Sequence, residues 1–207
     1  VDKSETSPSE VASWMVGRDI INHNFRSQPI IGKCLLEVKQ LSSSLDCSSQ
    51  SGRLHDVSFR VHAGEVLGIA GLMGAGRTEV LEAIFGVTHG RWQGEVFLSG
   101  ERVRFKHPSE ACNAGLVMVP EDRKRLGIFE NFQVDENISL CSLFEIMRNG
   151  FLSRRAEEDL VAEAISQIGI KTPAQTTKIT QLSGGNQQKC IISRWLLTKP
   201  KVLLLDD

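Results

Sequence analysis

The sequence predicts an α/β fold, in which short strands alternate with amphipathic helices. The alternating apolar and polar residues of Val57–Val61 and the short apolar run Leu116–Val119 have the length and pattern of strands. Between them, stretches such as Arg77–Phe85 carry apolar residues at three- and four-residue steps, which is typical of helices. Strands that alternate with helices favour a largely parallel sheet covered by helices.

Length and composition narrow the function classes. The chain has 207 residues, of which 41% are hydrophobic and 24% charged, as expected for one globular domain with additional sequence. A net charge of -1 gives no support for nucleic acid as the main partner. The five cysteines are widely spaced and form no CxxC pair, which argues against a zinc site or a disulfide framework. No apolar stretch approaches the ~20 residues of a membrane span.

The first half of the chain predicts a polar lead segment followed by strands. Residues 1–33 are polar and weakly patterned, and predict a linker or the tail of a preceding domain with a short helical stretch at Val11–Val16. The folded domain is predicted to occupy residues 34–207. Its first elements are a strand at 35–38, a Ser-rich loop at 42–52, a strand at 57–61 and a buried strand at 65–70.

The second half alternates more regularly. A helix is predicted at 77–85, followed by a hairpin whose arms are 95–98 and 102–105 and a buried strand at 116–119. The region from 134 to 170 is predicted to be mostly helical. A further helix at 185–197 and a last strand at 202–205 complete the pattern.

A glycine-rich loop is the first motif that carries chemistry. Residues 71–78 fit the phosphate-loop pattern between a predicted strand and a predicted helix, with Arg77 in place of lysine. Glycines allow successive N–H groups to face phosphate oxygens, and the helix N-terminus adds positive potential. A glycine-rich turn without a ligand remains the alternative. A dinucleotide fingerprint is disfavoured, because Glu79 stands where a third glycine is required. The candidate nucleotide-binding residues are Gly71, Gly74, Ala75, Gly76, Arg77, Thr78 and Glu79.

A second glycine motif and an acidic strand end complete the set. Ser183, Gly184 and Gly185 stand immediately before a predicted helix, where Ser183 can act as N-cap and the backbone offers another anion site. An ordinary capped helix is the alternative. The strand at 202–205 ends in Asp206, a candidate magnesium ligand together with Thr78. The alternative there is a core strand that runs into an acidic turn.

These three motifs, in this order and spacing, resemble the ATP-binding cassette family. The match is closest to the second cassette of bacterial sugar-import ATPases of the ribose, galactose and xylose type, since Met15–Arg18 resembles the end of a first cassette and Val119–Arg125 that cassette's replacement for the Q-loop. The resemblance implies a P-loop NTPase (RecA-like) core with an antiparallel β subdomain and a helical subdomain at about 130–180. It also implies a C-terminally incomplete cassette, because the family's switch histidine and D-loop lie beyond Asp207.

The resemblance implies that the cassette uses ATP and Mg²⁺. Two cassettes of this family close head to tail, so that Ser183, Gly184 and Gly185 would contact ATP held by the sister cassette. Asp207 and Glu121 would be the catalytic residues, although the segment around Glu121 can also be a solvated charged turn. The family normally has glutamate where Asp207 stands. With Arg77 also altered, we expect the chain's own site to bind ATP but hydrolyse it slowly.

The resemblance also implies the partners and the location. Transmembrane permease subunits would bind the cassette at the cytoplasmic face of the plasma membrane, with a solute-binding protein acting indirectly and no nucleic acid involved. Two alternatives remain open. One is an ABC ATPase of the nucleic-acid or ribosome-associated type, which salt-sensitive nucleic-acid binding would support. The other is a regulatory half that binds nucleotide without hydrolysing it. On its own, the fragment is expected to be inactive.

Overall fold

The computed structural model describes residues 31–44, 54–72, 74–87 and 91–206. Residues 1–30 of the predicted linker with its helical stretch, most of the predicted Ser-rich loop, and Asp207 lie outside these residues. Residues Gly32–Asp207 form one compact unit. Within the described part of the chain, no helix combines the length and the apolar character needed to cross a bilayer.

The first layer is an antiparallel sheet of four strands. Strand β1 (Cys34–Ser44) lies between β2 (Val57–His62) and β3 (Arg91–Leu98), and β4 (Glu101–Val103) pairs with the outer edge of β3. The predicted strands at 57–61 and 95–98 are confirmed, and so is the hairpin, although its second arm covers Glu101–Val103 and not 102–105. The prediction of a loop from residue 42 was wrong at its start, because residues 42–44 continue β1 and pair with β3.

The second layer contains a parallel pair of strands. Strand β5 (Leu116–Val119) pairs with β8 (Val202–Leu205), and both have the predicted bounds. Helix α1 (Arg77–Phe85) also has the predicted bounds, and its apolar face, including Val80 and Ile84, is buried in a core shared with the antiparallel sheet. Helix α2 (Pro108–Ala114) packs against β5. The predicted α/β architecture is therefore present, with two parallel strands among the described residues.

The predicted strand at 65–70 was wrong. These residues form no strand, and Val66 and Ile69 are 74% and 41% exposed. The segment and β8 line an apolar groove of about 370 Å³, and Leu205 on the β8 side is also exposed. A strand needs hydrogen-bond partners along its edge, and the described residues supply none beside 65–70. The apolar pattern was therefore insufficient by itself to produce the strand.

The remaining elements form a helical region with its own core. Helices α3 (Val134–Ser139), α4 (Leu143–Ile146) and α5 (Arg154–Ile168) confirm the mostly helical prediction, except that a short hairpin of β6 (Met147–Arg148) and β7 (Phe151–Leu152) interrupts it. Helix α6 (Gly184–Leu196) confirms the predicted helix with both ends shifted by one residue. The buried side chains of Ile138, Val161 and Ile191 join α3, α5 and α6 in this second core.

A single wide helical turn, Arg123–Gly127, connects β5 to the helical region. The buried Arg194 of α6 secures this turn, because its Nη1 donates to the carbonyl oxygen of Gly127 at 2.7 Å. Its other nitrogens donate to the backbone and side-chain oxygens of Asn137. Burial lowers the pKa of Arg194. The end of β5 and helix α6 are thus held in a fixed relation.

Candidate functional site

The loop that precedes α1 is curled and exposed. The N–H of Ala75 donates to the carbonyl oxygen of Leu72 at 3.0 Å, which closes a turn. Gly74 and Gly76 have φ angles of 79° and 92°, a left-handed conformation that glycine adopts without strain. Gly76 is the N-cap of α1 and offers no side-chain cap, so the first-turn N–H groups of the helix face this open loop. The backbone can therefore surround an anion here.

Thr78 and Asp206 meet beside this loop although 128 positions separate them in the sequence. The Thr78 hydroxyl donates to Asp206 Oδ1 at 3.2 Å. Asp206 is 8% exposed, and its N–H donates to the carbonyl oxygen of Val119, which fixes the end of β8 against β5. The parallel pairing of β5 and β8 thereby delivers a carboxylate to the first turn of α1.

The hydroxyl oxygen of Thr78 and the carboxylate oxygen of Asp206, 3.2 Å apart, are ligand atoms that suit a small divalent cation. Mg²⁺ prefers oxygen ligands and usually keeps several waters while bridging to substrate phosphates. Within the described ranges, no group of three or more His, Cys, Asp and Glu side chains could hold a metal ion. Thr78 and Asp206 would therefore supply the protein ligands and leave the remaining positions to phosphate oxygens and water.

The side chain of Arg77 lies over Gly71. A Cβ built on Gly71 would stand 3.7 Å from the Cγ and Cδ of Arg77 and 3.0 Å from the Cβ of Ala75. This close approach explains why the loop needs a residue without a side chain at position 71. Glu79 follows in the first turn of α1, where an acidic residue is favourable to the helix dipole. The loop and the start of α1 thus bring together all the residues predicted at 71–79 that the structure describes; Met73 lies outside that set.

The second glycine motif is held by side chains of α6 itself. Ser183 occupies the predicted N-cap position, although its side chain makes no cap hydrogen bond to the helix backbone. Its Oγ instead accepts a hydrogen bond from Asn186 Nδ2 at 3.0 Å, and Asn186 Oδ1 accepts from the N–H of Lys171 at 2.9 Å. Ser183 and Gly185 are exposed, and Gly184 is half-buried. The first turn of α6 contains no acidic residue.

Further polar residues of α6 fix the chain on either side of the motif. Gln187 is buried, and its Nε2 donates to the carbonyl oxygens of Ile179 and Leu182, both at 3.2 Å. Lys189 Nζ donates to the carbonyl oxygen of Gly169 at the end of α5, at 2.8 Å. No role was predicted for these residues from the sequence. Polar side chains among the apolar positions of an amphipathic helix were the available signal.

Arg123 lies against the same helix end. A Cβ built on Gly184 would stand 2.5 Å from Arg123 Nη2, so the guanidinium occupies the space that a side chain at 184 would need. The Nε of Arg123 is buried and has no hydrogen-bond partner among the described residues. A guanidinium with an unpartnered donor raises the positive potential at the N-terminus of α6. The sequence analysis included Arg123 only as part of a charged segment.

The structure does not bring all predicted site residues into contact. Glu121 is exposed, and its carbonyl oxygen accepts from the N–H of Arg123 at 3.0 Å. Among the described residues, no hydrogen bond joins the loop at 71–78 to the motif at 183–185. The chain therefore presents two separate glycine motifs, each at a helix N-terminus, where the helix dipole favours an anion.

A glycine loop before a helix, with a threonine hydroxyl bonded to the aspartate at a strand end, defines a phosphate-loop nucleotide-binding domain. The sequence profile of the family named ABC transporter matches residues 54–207, so the chain belongs to the ABC transporter family. It is 42% identical over 206 residues to the xylose import ATP-binding protein XylG of Photobacterium profundum. It is 39% identical over 203 residues to the ribose import ATP-binding protein RbsA of Oceanobacillus iheyensis.

These alignments include 100% and 98% of the chain but 41% and 39% of the two relatives. The chain thus spans about two fifths of the length of these curated relatives. Solved cassettes share the fold at lower identity. A nucleotide-free ATP-binding cassette from an ABC transporter aligns with a TM-score of 0.65 at 22% identity, over 84% of this chain and 69% of its own. A dimeric post-hydrolysis cassette bound to ADP and Pi aligns with a TM-score of 0.69 at 21% identity. The alignment covers 84% of this chain and 74% of that structure's chain.

Proposed function

We propose that the chain is an ATP-binding cassette that energises the import of a carbohydrate. Support comes from relatives that are named as xylose and ribose import ATP-binding proteins. The membership of the ABC transporter family agrees with this function. The observation that carries the proposal is the bond between Thr78 and Asp206 beside the curled glycine loop, because this arrangement suits a polyphosphate with its cation.

The first half-site would hold the nucleotide of this cassette. The backbone from Gly71 to Gly76 and the first turn of α1 would surround the phosphates, with Arg77 adding charge and Glu79 completing the turn. Thr78 and Asp206 would hold Mg²⁺. When bound, this ion would neutralise charge on the phosphate oxygens.

The second half-site would act on a nucleotide held by another cassette. Ser183 would present its hydroxyl, and Gly184 and Gly185 their N–H groups, to the terminal phosphate. The exposed position of Ser183 and Gly185 and the absence of an acidic residue in the first turn of α6 favour this role. A second cassette is therefore the first partner of the proposal.

The other partners follow from import. Transmembrane permease subunits would bind the cassette as a peripheral protein at the cytoplasmic face of the membrane, and a solute-binding protein would deliver the solute. Selectivity for the solute would lie with these partners.

Hydrolysis at the cassette's own site is proposed to be slow. Asp207 would orient the attacking water and Glu121 would approach the cation, but aspartate is one methylene shorter than the family's glutamate. Arg77 also places a planar guanidinium where the phosphate-loop pattern has the compact ammonium of a lysine. Single-turnover hydrolysis by the complete protein that carries this sequence, with Arg77→Lys and Asp207→Glu combined, tests the idea. A faster step at this site is expected, and an unchanged rate would contradict it.

Nucleotide binding is the primary test. In the complete protein, Thr78→Val should weaken Mg²⁺-ATP binding by roughly 10-fold or more, because a hydrogen-bonding group opposite a charge contributes about 1.5–3 kcal/mol. Binding measured with a chelator in place of Mg²⁺ should change less. Thr198→Val is the matched control, since among the residues that the structure describes that hydroxyl bonds to the local Trp195 carbonyl oxygen. Failure of the unmodified protein to bind ATP would refute the proposed function.

A further inference from the structure

The hydroxyl of Ser183 is oriented by a neighbouring amide. Asn186 Nδ2 donates to Ser183 Oγ at 3.0 Å, and the N–H of Lys171 donates to Asn186 Oδ1 at 2.9 Å. A backbone N–H can only donate, so the atom of Asn186 that faces Lys171 must be the oxygen. The NH₂ group therefore faces Ser183, and the orientation of the amide is fixed by the contact with Lys171.

This orientation determines where the serine proton can point. A serine hydroxyl has one proton to donate and two acceptor lone pairs. Because Ser183 Oγ accepts from Asn186, its proton must be directed elsewhere. Ser183 is exposed, and its side chain makes no cap bond to the helix backbone. The hydroxyl is thus held as a donor toward whatever approaches the N-terminus of α6.

A separate observation points to an anion at this position. The guanidinium of Arg123 lies against Gly184, and its buried Nε has no hydrogen-bond partner among the described residues. A cationic group with an unused donor beside the N-terminus of a helix favours a negatively charged ligand. Arg123 belongs to the turn at 123–127 and not to α6, so this observation is independent of the contacts made by Asn186.

We propose that Asn186 is a positioning residue that directs the Ser183 hydroxyl toward the terminal phosphate of a nucleotide held by the facing cassette. The inference rests on the proposed function of the second half-site. The amide acts through Ser183 and does not itself contact the nucleotide. This role requires a side chain that donates to Ser183 and accepts from Lys171 at the same time. An amide of this length provides both groups.

Two substitutions of Asn186 in the complete protein separate its effect on the orientation of the Ser183 hydroxyl from the effect of its size. Asn186→Leu keeps the approximate size but lets the hydroxyl rotate, and should slow single-turnover hydrolysis at the facing site on the order of 10-fold. Asn186→Asp should slow it about 100-fold, similar to loss of a transition-state donor. The aspartate would accept from the Lys171 N–H with one oxygen and from the Ser183 hydroxyl with the other, which turns the hydroxyl away from the phosphate and also places a negative charge beside it.

The decisive test compares the effect of Asn186→Leu in the unmodified protein with its effect in a Ser183→Ala variant. If Asn186 acts through the hydroxyl, Asn186→Leu should cause no further loss of rate once the hydroxyl has been removed. Gln188→Leu, which removes a half-buried amide of the same helix, is the matched control and should leave the rate unchanged. The melting temperature and the ATP affinity of the cassette's own phosphate loop should be the same in Asn186→Leu and in the unmodified protein.

The outcomes are distinguishable from failure of the proposed function. A protein that does not bind ATP contradicts the function as a whole. A protein that binds ATP and loses activity with Ser183→Ala, but not with Asn186→Leu, contradicts only the positioning role. An equal loss from Asn186→Leu with and without the Ser183 hydroxyl would also overturn it, because the amide would then act by another route.

Discussion

The phosphate loop at 71–78 and the serine motif at 183–185 both precede a helix, but different parts of the chain hold them. The first depends on a distant contact, the bond from Thr78 to Asp206, and the segment that leads into it is exposed. The second is surrounded by bonds from its own helix, through Asn186 and Gln187. We infer that the serine motif is held by polar side chains of its own helix and by the contact of Asn186 with Lys171, whereas the phosphate loop depends on the strand layer.

Removing Arg194 should have the largest effect on the region of the serine motif. Arg194→Met removes the guanidinium donors from the buried carbonyl oxygens of Gly127 and Asn137 and releases the turn that carries Arg123. We expect a loss of about 3 kcal/mol in the free energy of unfolding, measured by urea denaturation. The matched control is Arg148→Met, because the exposed Arg148 also donates to two carbonyl oxygens and its loss should cost less than about 1 kcal/mol. Equal losses would contradict the comparison.

Removing Gln187 should have a smaller and more local effect. Gln187→Leu leaves the carbonyl oxygen of Leu182 without its donor, whereas that of Ile179 keeps the bond from the Leu182 N–H, so we expect a cost of about 1–3 kcal/mol. Cys190 can report the local opening, because it is fully buried and burial raises its pKa to about 11, so it reacts with alkylating reagents only when exposed. We expect faster alkylation of Cys190 in this variant, followed by peptide mass spectrometry.

A matched variant shows whether faster alkylation of Cys190 reflects local opening or a general loss of stability. Gln167→Leu removes an exposed amide that bonds to Glu163 on the neighbouring helix α5. Alkylation of Cys190 should keep its original rate in this control. If both variants accelerated alkylation equally, Gln187 would have no special role in holding the serine motif.

The smallest expected effects distinguish the glycines of the two loops. An added Cβ meets nothing within 4 Å at either Gly74 or Gly185, but only Gly74 has a left-handed backbone, with φ of 79°. Gly74→Ala should therefore cost about 1–2 kcal/mol in the free energy of unfolding. Gly185→Ala should be neutral or gain at most about 1 kcal/mol, because alanine favours the helix. Equal thermal shifts for the two variants would show that loop conformation does not distinguish them.

The local sequence correctly predicted those helices and strands that are stabilised by their own backbone bonds and by burial of one apolar face in a core. Helix α1 and strands β5 and β8 have the predicted bounds, because their apolar periodicity coincides with the buried faces. The same reasoning failed at 65–70, where an apolar run has no ladder partner among the described residues. It also failed at residues 42–44, where pairing with β3 extends a strand through a serine run.

By itself, the sequence determined most of the helices and strands and the glycine turn of the phosphate loop, because glycines, caps and periodicity act over a few residues. Only the tertiary structure decided which side chains serve the loops. The bond of Thr78 to Asp206, the packing of Arg123 on Gly184 and the contact of Asn186 with Lys171 join residues that the sequence separates. Such contacts depend on how strands and helices are arranged in space, and no local pattern specifies that arrangement.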